Sequence, residues 1–206
     1  MRTLLRTTLI GSLLAISSMA QAELTANAGF ASEYYYRGIF QESSSASGGL
    51  DFESGGFYVG TWAADVGDGL EVDGYAGYGG EAGDFSYSVG FTGYYYTGDF
   101  DDTYQEINLG GGYGMVSLDV ALGEYDNFNG PTQDYTYYAL TVENKGFYGK
   151  YAGFSRDFEG EYVELGYGTT VAKIDVGVAL IFSNKDLVGE NDEAVVITVG
   201  KSFDIQ

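Results

Sequence analysis

The stretch Ile174-Asp175-Val176-Gly177-Val178-Ala179-Leu180-Ile181-Phe182-Ser183 sets Ile174, Val176, Val178, Leu180 and Phe182 on one face of an extended chain, and Asp175, Gly177, Ala179 and Ser183 on the other. Successive side chains of a strand point to opposite sides, so this run separates an apolar medium from a more polar one. The pattern recurs: Val116, Leu118, Val120 and Leu122 oppose Ser117, Asp119, Ala121 and Gly123, while Phe85, Tyr87, Val89 and Phe91 oppose Ser86, Ser88, Gly90 and Thr92. Outward from these runs, alternation and turn residues predict strands at 24–36, 44–53, 57–66, 70–79, 85–96, 103–113, 116–125, 134–143, 147–155, 161–170, 174–184 and 193–205. Alternation alone fits a soluble sandwich as well as a membrane wall.

Two patterns separate those readings. Ser54-Gly55-Gly56, Glu81-Ala82-Gly83-Asp84, Gly114-Met115, Asn144-Lys145-Gly146 and Val171-Ala172-Lys173 are short connections, whereas Ile39–Ser43, Thr97–Asp102, Asn127–Gln133 and Lys185–Asp192 are longer, with Asp65–Gly69 ambiguous. Short turns at one end and longer loops at the other are the habit of outer-membrane barrels, and they put both termini in the periplasm. Aromatic residues also gather at both strand ends. Tyr34, Tyr35, Tyr36, Tyr94, Tyr95, Tyr96, Tyr104, Tyr125, Tyr135, Tyr137, Tyr138 and Tyr162 lie at the long-loop ends. Phe52, Phe57, Tyr58, Tyr78, Phe85, Tyr87, Tyr113, Phe147, Tyr148 and Phe203 lie at the turn ends. Two girdles on the order of 22 Å apart, near the roughly 25 Å apolar band of such barrels, are expected. The fold class is therefore all-β, a transmembrane antiparallel up-and-down barrel of twelve strands, with ten or fourteen as the neighbouring counts.

Residues 1–22 read as a cleaved signal peptide: Arg2 and Arg6 flank the start of an apolar run, Leu4–Ile16, followed by the peptidase triplet Ala20-Gln21-Ala22. Residues 23–206 then form the barrel in the cell outer membrane. Without Arg2 and Arg6 the chain carries 7 Lys plus Arg against 30 Asp plus Glu, a net charge of −23. A protein that acidic repels phosphate, which excludes nucleic acid as a partner. The sequence has no Cys and no His, which removes disulfides, thiolate metal sites and every His-based catalytic device. An enzyme is not expected, no catalytic residue is assigned, and no cofactor or metal is called for.

The last predicted strand ends Thr198-Val199-Gly200-Lys201-Ser202-Phe203-Asp204-Ile205. Gly200, Phe203 and Ile205 fit a terminal signal for the barrel assembly machinery, offered as an edge for strand addition. Lys201 falls on the expected lipid face, where its stem must carry the ammonium towards the interface.

Ser32-Glu33-Tyr34-Tyr35-Tyr36-Arg37-Gly38-Ile39-Phe40-Gln41, Gly56-Phe57-Tyr58-Val59-Gly60-Thr61-Trp62 and Glu71-Val72-Asp73-Gly74-Tyr75-Ala76-Gly77-Tyr78 together resemble the TorF-type family of porin-like proteins of Gram-negative bacteria. Phe40 and Ala64 depart from it, standing where hydroxyl residues are usual. The resemblance implies an outer-membrane barrel with a pore and gives no substrate.

If the apolar faces meet lipid, the opposite faces line a lumen holding Glu71, Asp73, Glu106, Asn108, Asp119, Glu143, Glu164 and Asp175, with Lys150 as the one cation placed inside. Such a wall concentrates cations and excludes anions; the alternative is a closed lumen in which the acids bond one another. Arg37 at the outer mouth is expected to pair with Glu33 or loop acids, or else to be an ordinary interfacial Arg. Asp99–Asp102 and Asp186–Glu193 hold clustered carboxylates but lack calcium-loop spacing, so solvated loops facing lipopolysaccharide are the better reading. Gly110-Gly111-Gly112 lacks the Lys of a phosphate loop and lies within a strand. The expected function is a passive, cation-preferring channel for small solutes in contact with outer-membrane lipid; the rival is a non-conducting surface barrel acting through its acidic, tyrosine-rich loops.

Overall fold

The computed structural model describes residues 22–205; the predicted signal peptide lies almost wholly outside them. Twelve strands run β1 (Glu23–Tyr36), β2 (Ile39–Ser54), β3 (Phe57–Asp65), β4 (Leu70–Ala82), β5 (Phe85–Tyr96), β6 (Tyr104–Tyr113), β7 (Val116–Tyr125), β8 (Gln133–Asn144), β9 (Phe147–Arg156), β10 (Glu161–Val171), β11 (Ile174–Ser183) and β12 (Asp192–Asp204). Each pairs antiparallel with its neighbours in sequence, and β1 pairs with β12 to close the sheet. Closure removes the sheet edges that a membrane cannot solvate.

The alternation that predicts the strands also orients them. Val89, Phe91, Ile107, Leu109, Leu118, Leu122, Leu140, Leu165, Leu180 and Ile197 all point outward and are exposed. A soluble protein does not present an apolar belt around its whole girth, so this surface faces lipid. At the turn end Phe52, Phe57, Tyr78, Phe85, Tyr87, Tyr113, Phe147 and Phe203 form an outward girdle. Lys201 sits among them with its ammonium 4.9 Å from the Phe203 ring centre. Tyr58 and Tyr148 do not belong to that girdle; they lie on the inward faces of β3 and β9.

Connections at the girdle end are the two-residue turns 55–56, 83–84, 114–115, 145–146 and 172–173. At the opposite end the connections are 66–69, 97–103, 126–132, 157–160 and 184–191, the last holding α1 (Lys185–Val188) capped by the Asn184 side chain. The connection 66–69 joins the long-loop end, which resolves the ambiguity around Asp65–Gly69. One expectation fails. Ile39–Ser43 is no loop but the start of β2, and β1 turns into β2 through Arg37 and Gly38 alone, at φ 51° and 82°. Positive φ at both central residues makes the tight turn whose twist matches paired strands.

The outer aromatic girdle is also overturned. Of the twelve tyrosines expected there, nine turn inward: Tyr34, Tyr36, Tyr94, Tyr96, Tyr104, Tyr125, Tyr135, Tyr137 and Tyr162. Eight strands make a barrel just filled by its own side chains, and twelve leave more room than alanine and glycine can occupy. The rings fill that room, and their hydroxyls find acceptors inside. Small residues on the wall make space for them: a Cβ on Gly123 would run into the Tyr135 ring.

The β1–β2 hairpin supplies the rest of the filling. Pairing of β1 with β12 stops at Ala31↔Thr198, and pairing of β2 with β3 starts only at Ser47↔Ala64. Between those points the hairpin pairs with itself alone. Its inward alternation breaks, since Ala31 and Tyr34 are both buried although three residues apart, and Ser44 takes φ 61°. The tip thereby leans off the wall and into the barrel. Its Gly38 carbonyl accepts a 2.5 Å hydrogen bond from Ser183 Oγ, and Gly38 lies so close to Tyr162 that a Cβ there would come within 2.6 Å of the ring.

Candidate functional site

The polar interior is organised around two buried carboxylates near the long-loop end. Glu106 on β6 receives both Nη1 and Nη2 of Arg37, the latter at 2.9 Å, with Tyr135 Oη at 2.7 Å, Tyr94 Oη at 3.0 Å and Asn108 Nδ2 at 3.0 Å. Two N–H groups in a fixed fork match two carboxylate oxygens, so the pair is directional as well as charged. The guanidinium also lies 4.0 Å from the Tyr137 ring centre and 4.9 Å from that of Tyr36. Tyr137 in turn shares a 2.9 Å hydrogen bond with Tyr162. Arg37 therefore does not pair with Glu33 or rim the mouth as expected. A turn of two residues is too short to lay it along the rim, and the inward lean of the hairpin carries it across the barrel to β6.

Glu71 on β4 forms the second centre, accepting from Tyr34 at 2.7 Å and Tyr96 at 3.0 Å. Around both centres the rings pack edge to face, Tyr36 on Tyr94 at 5.6 Å and Tyr34 on Trp62 at 5.9 Å, or stack, Tyr135 on Phe158 at 4.8 Å. On the side of β7 to β12, Ala121, Ala139, Ala152, Ala179, Ile181 and Val196 close against these rings. The long-loop half of the interior is thus a packed layer bound to the hairpin tip.

Below that layer the interior is more open and still acidic. Asn108 accepts from Thr92 at 2.9 Å, Asp119 lies on the inward face of β7, and Lys150 pairs with Glu164 at 3.3 Å while Tyr148 donates to the same carboxylate at 2.5 Å. Asp175 accepts from Thr170 at 2.5 Å near the turn end. Glu143 is on the inward face of β8 but stands exposed at the turn-end rim. All eight acids and amides expected inside share the inward faces; what the sequence reading leaves out is Glu53 and, on the same face of β2, Asp51, which accepts from Tyr75 and, at 3.2 Å, from Asn27. Its alternation with Leu50 and Phe52 carried that signal. Lys150 is joined inside by a second cation, Arg37.

The loop acids have structural partners. Asp101 accepts from Tyr104 and Tyr125, both at 2.8 Å, and Asp102 accepts the Phe128 amide at 2.6 Å, tying connection 97–103 to 126–132. Asp186 sits in the first turn of α1, where the helix end favours a negative charge. Among the described residues no group of three His, Cys, Asp or Glu side chains is arranged to hold a metal ion. At the seam, Gly200 pairs with Gly29 and Asp175, Phe203 faces outward opposite Ala26, and Ile205 follows the strand with its amide donating to the Leu24 carbonyl at 2.8 Å.

Belt, closed sheet and acidic interior define a transmembrane β-barrel. The chain belongs to the family described as "Bacterial protein of unknown function (Gcw_chp)", which matches residues 16–203. The family is defined without an activity and without the TorF-type name. Among curated proteins none matches. Among solved structures, one from work on the in-meso crystallization of membrane proteins aligns with TM-score 0.60 at 11% identity, over 89% of this chain and 84% of that one. OccK2 (OpdF) of Pseudomonas aeruginosa gives 0.43 at 13% identity, over 93% and 69%. The anion-selective porin of Comamonas acidovorans gives 0.42 at 18%, over 80% and 60%. At these identities the first likeness shows the fold.

Proposed function

We propose that this protein is an outer-membrane channel for small solutes, cation-preferring, and held narrow at its outer end by the β1–β2 hairpin. The charge inventory of the interior carries the reading. Arg37 is spent on Glu106 and Lys150 on Glu164, which leaves Asp51, Glu71, Asp73, Asp119 and Asp175 on inward faces without a cation of their own. In a confined wall of low dielectric that excess raises local cation concentration. A salt gradient across a bilayer holding the refolded protein should give a potential of the sign for cation preference, shrinking as salt rises, and Asp119→Asn with Asp175→Asn should reduce it at unchanged assembled amounts. Anion preference would overturn the reading. A specific observation favours a second one: the packed outer layer suits a non-conducting barrel whose loops carry its function, and silence of the bilayer at every salt would select it.

Outer-membrane targeting belongs to the same proposal, with lipid, lipopolysaccharide and the assembly machinery as partners and Gly200, Phe203 and Ile205 as the gripped edge. Phe203→Ala should lower the outer-membrane yield. Phe128→Ala is the matching control, because Phe128 is 59% exposed in a loop, whereas Phe100 packs against the Tyr96 ring. Equal yields would remove the special role of the terminal strand.

A further inference from the structure

Three carboxylates are buried together in the outer half of the interior, and they are not equivalent. Glu71 is 1% exposed and receives two tyrosine hydroxyls; Glu106 is 1% exposed and receives five donors. Asp73, on the same face of β4 and 8% exposed, has its Oδ1 buried with no hydrogen-bond partner. Burying an ionised oxygen without a donor costs far more than leaving it in water, so the side chain either keeps its own proton or is stabilised as the carboxylate by a donor that the chain itself does not supply. The nearest chain cation, Arg37, is committed to Glu106.

The surroundings say what kind of donor fits. Asp73 stands directly opposite Trp62 on one side and Tyr94 on the other. Side chains in such positions stand about 5 Å apart at Cβ, so the carboxylate lies between two aromatic rings. Tyr94 gives its hydroxyl to Glu106 and so offers its ring. Tyr36, packed edge to face on Tyr94, has a buried hydroxyl that is likewise without a partner. A divalent metal needs several oxygen ligands, and here one free carboxylate oxygen and one hydroxyl are on offer. A protonated amine needs less: one N–H for Asp73, and the aromatic faces of Trp62, Tyr94 and the Tyr36 ring packed on it for its charge and its methylenes.

We propose that Asp73, Tyr36, Trp62 and Tyr94 form a binding subsite for the protonated amino group of a small organic cation. The inference deepens the cation-preferring channel and rests on it for the ligand's route, but the subsite itself is read independently of conduction.

Trp62 is the only tryptophan in the chain, so its fluorescence reports on this layer alone. Refolded protein in detergent micelles, titrated with n-butylammonium chloride, should show a saturable change in Trp62 emission. Tetramethylammonium, which has no N–H to give, and neutral n-butanol should each bind at least tenfold more weakly. Asp73→Asn should weaken butylammonium by roughly 10- to 100-fold, the range set by losing a charged hydrogen-bond acceptor, while Asp186→Asn on the exposed outer helix should leave it unchanged. Trp62→Phe should abolish the signal but preserve butylammonium-dependent block in a bilayer. Equal affinity for butylammonium and tetramethylammonium, or an unaltered curve for Asp73→Asn, would overturn the subsite even if the bilayer shows cation preference. Saturable, Asp73-dependent binding in a protein that conducts nothing would keep the subsite and discard the channel.

Discussion

Removing the tip of the β1–β2 hairpin should convert a narrow or silent barrel into one with a single-channel conductance several-fold higher. The deletion that takes out residues 34–42 and bridges Glu33 to Ser43, which face each other across the hairpin, with an Asn-Gly turn leaves the wall alone. Pairing of β1 with β12 uses residues 25–31, and pairing of β2 with β3 uses 47–54. What goes is the material lodged inside: Tyr34 and Tyr36, the Arg37 guanidinium, and the Gly38 carbonyl held by Ser183. Conductance equal to that of the intact protein would show that the tip is not the obstruction. Loss of the folded barrel on a denaturing gel would show that the tip is part of its core, and the two results are easily told apart.

The second large effect is an asymmetry between partners. Glu106→Ala strands a buried guanidinium and two tyrosine hydroxyls, and removal of one member of a buried pair costs about 3–5 kcal/mol. Arg37→Ala leaves the Glu106 carboxylate buried without its counter-charge but still with Tyr94, Tyr135 and Asn108 as donors, so its loss should fall at the lower end of that range, about 3 kcal/mol. Urea titration of the refolded barrel in detergent should therefore find Glu106→Ala clearly the weaker of the two. Equal midpoints would mean that the pair adds little beyond packing.

How far the sequence could be read follows from where periodicity exists. All strands but β2 and β4 fall within a residue or so of their expected bounds because each has one face in lipid, and a period of two leaves little freedom in assigning it. Inward acids were legible for the same reason: Asp73, Glu106, Asp119 and Asp175 alternate with outward apolar or small residues. The hairpin was not. Tyr34-Tyr35-Tyr36 has no alternation to read, Arg37 is an unusual choice for positive φ, and the polar run from Gln41 to Ser45 looks like a loop although it is paired strand. Tyrosine was the other source of error. A ring with a hydroxyl suits a membrane interface, yet it suits equally well a buried carboxylate that wants a donor, and only the count of strands, through the volume they enclose, decides between them. The two orphaned oxygens on Asp73 and Tyr36 arise from three-dimensional placement and leave no trace in spacing.

The seam between β1 and β12 bears on how the barrel is made. Every other pairing joins strands consecutive along the chain, but this one joins residues 167 to 179 positions apart, through seven pairs where β1 and β2 share thirteen. Closing so large a ring costs about 2.5 kcal/mol more chain entropy than closing a ten-residue loop, and slow, non-local steps come late. The eleven local hairpins can therefore accumulate as a curved, open sheet before the ends meet. Until they do, β1 and β12 each expose a ladder of free amides and carbonyls that would recruit any passing strand. Maturation then becomes a race between cyclisation and aggregation, and a helper that occupies the β12 edge until β1 arrives would decide it by kinetics alone.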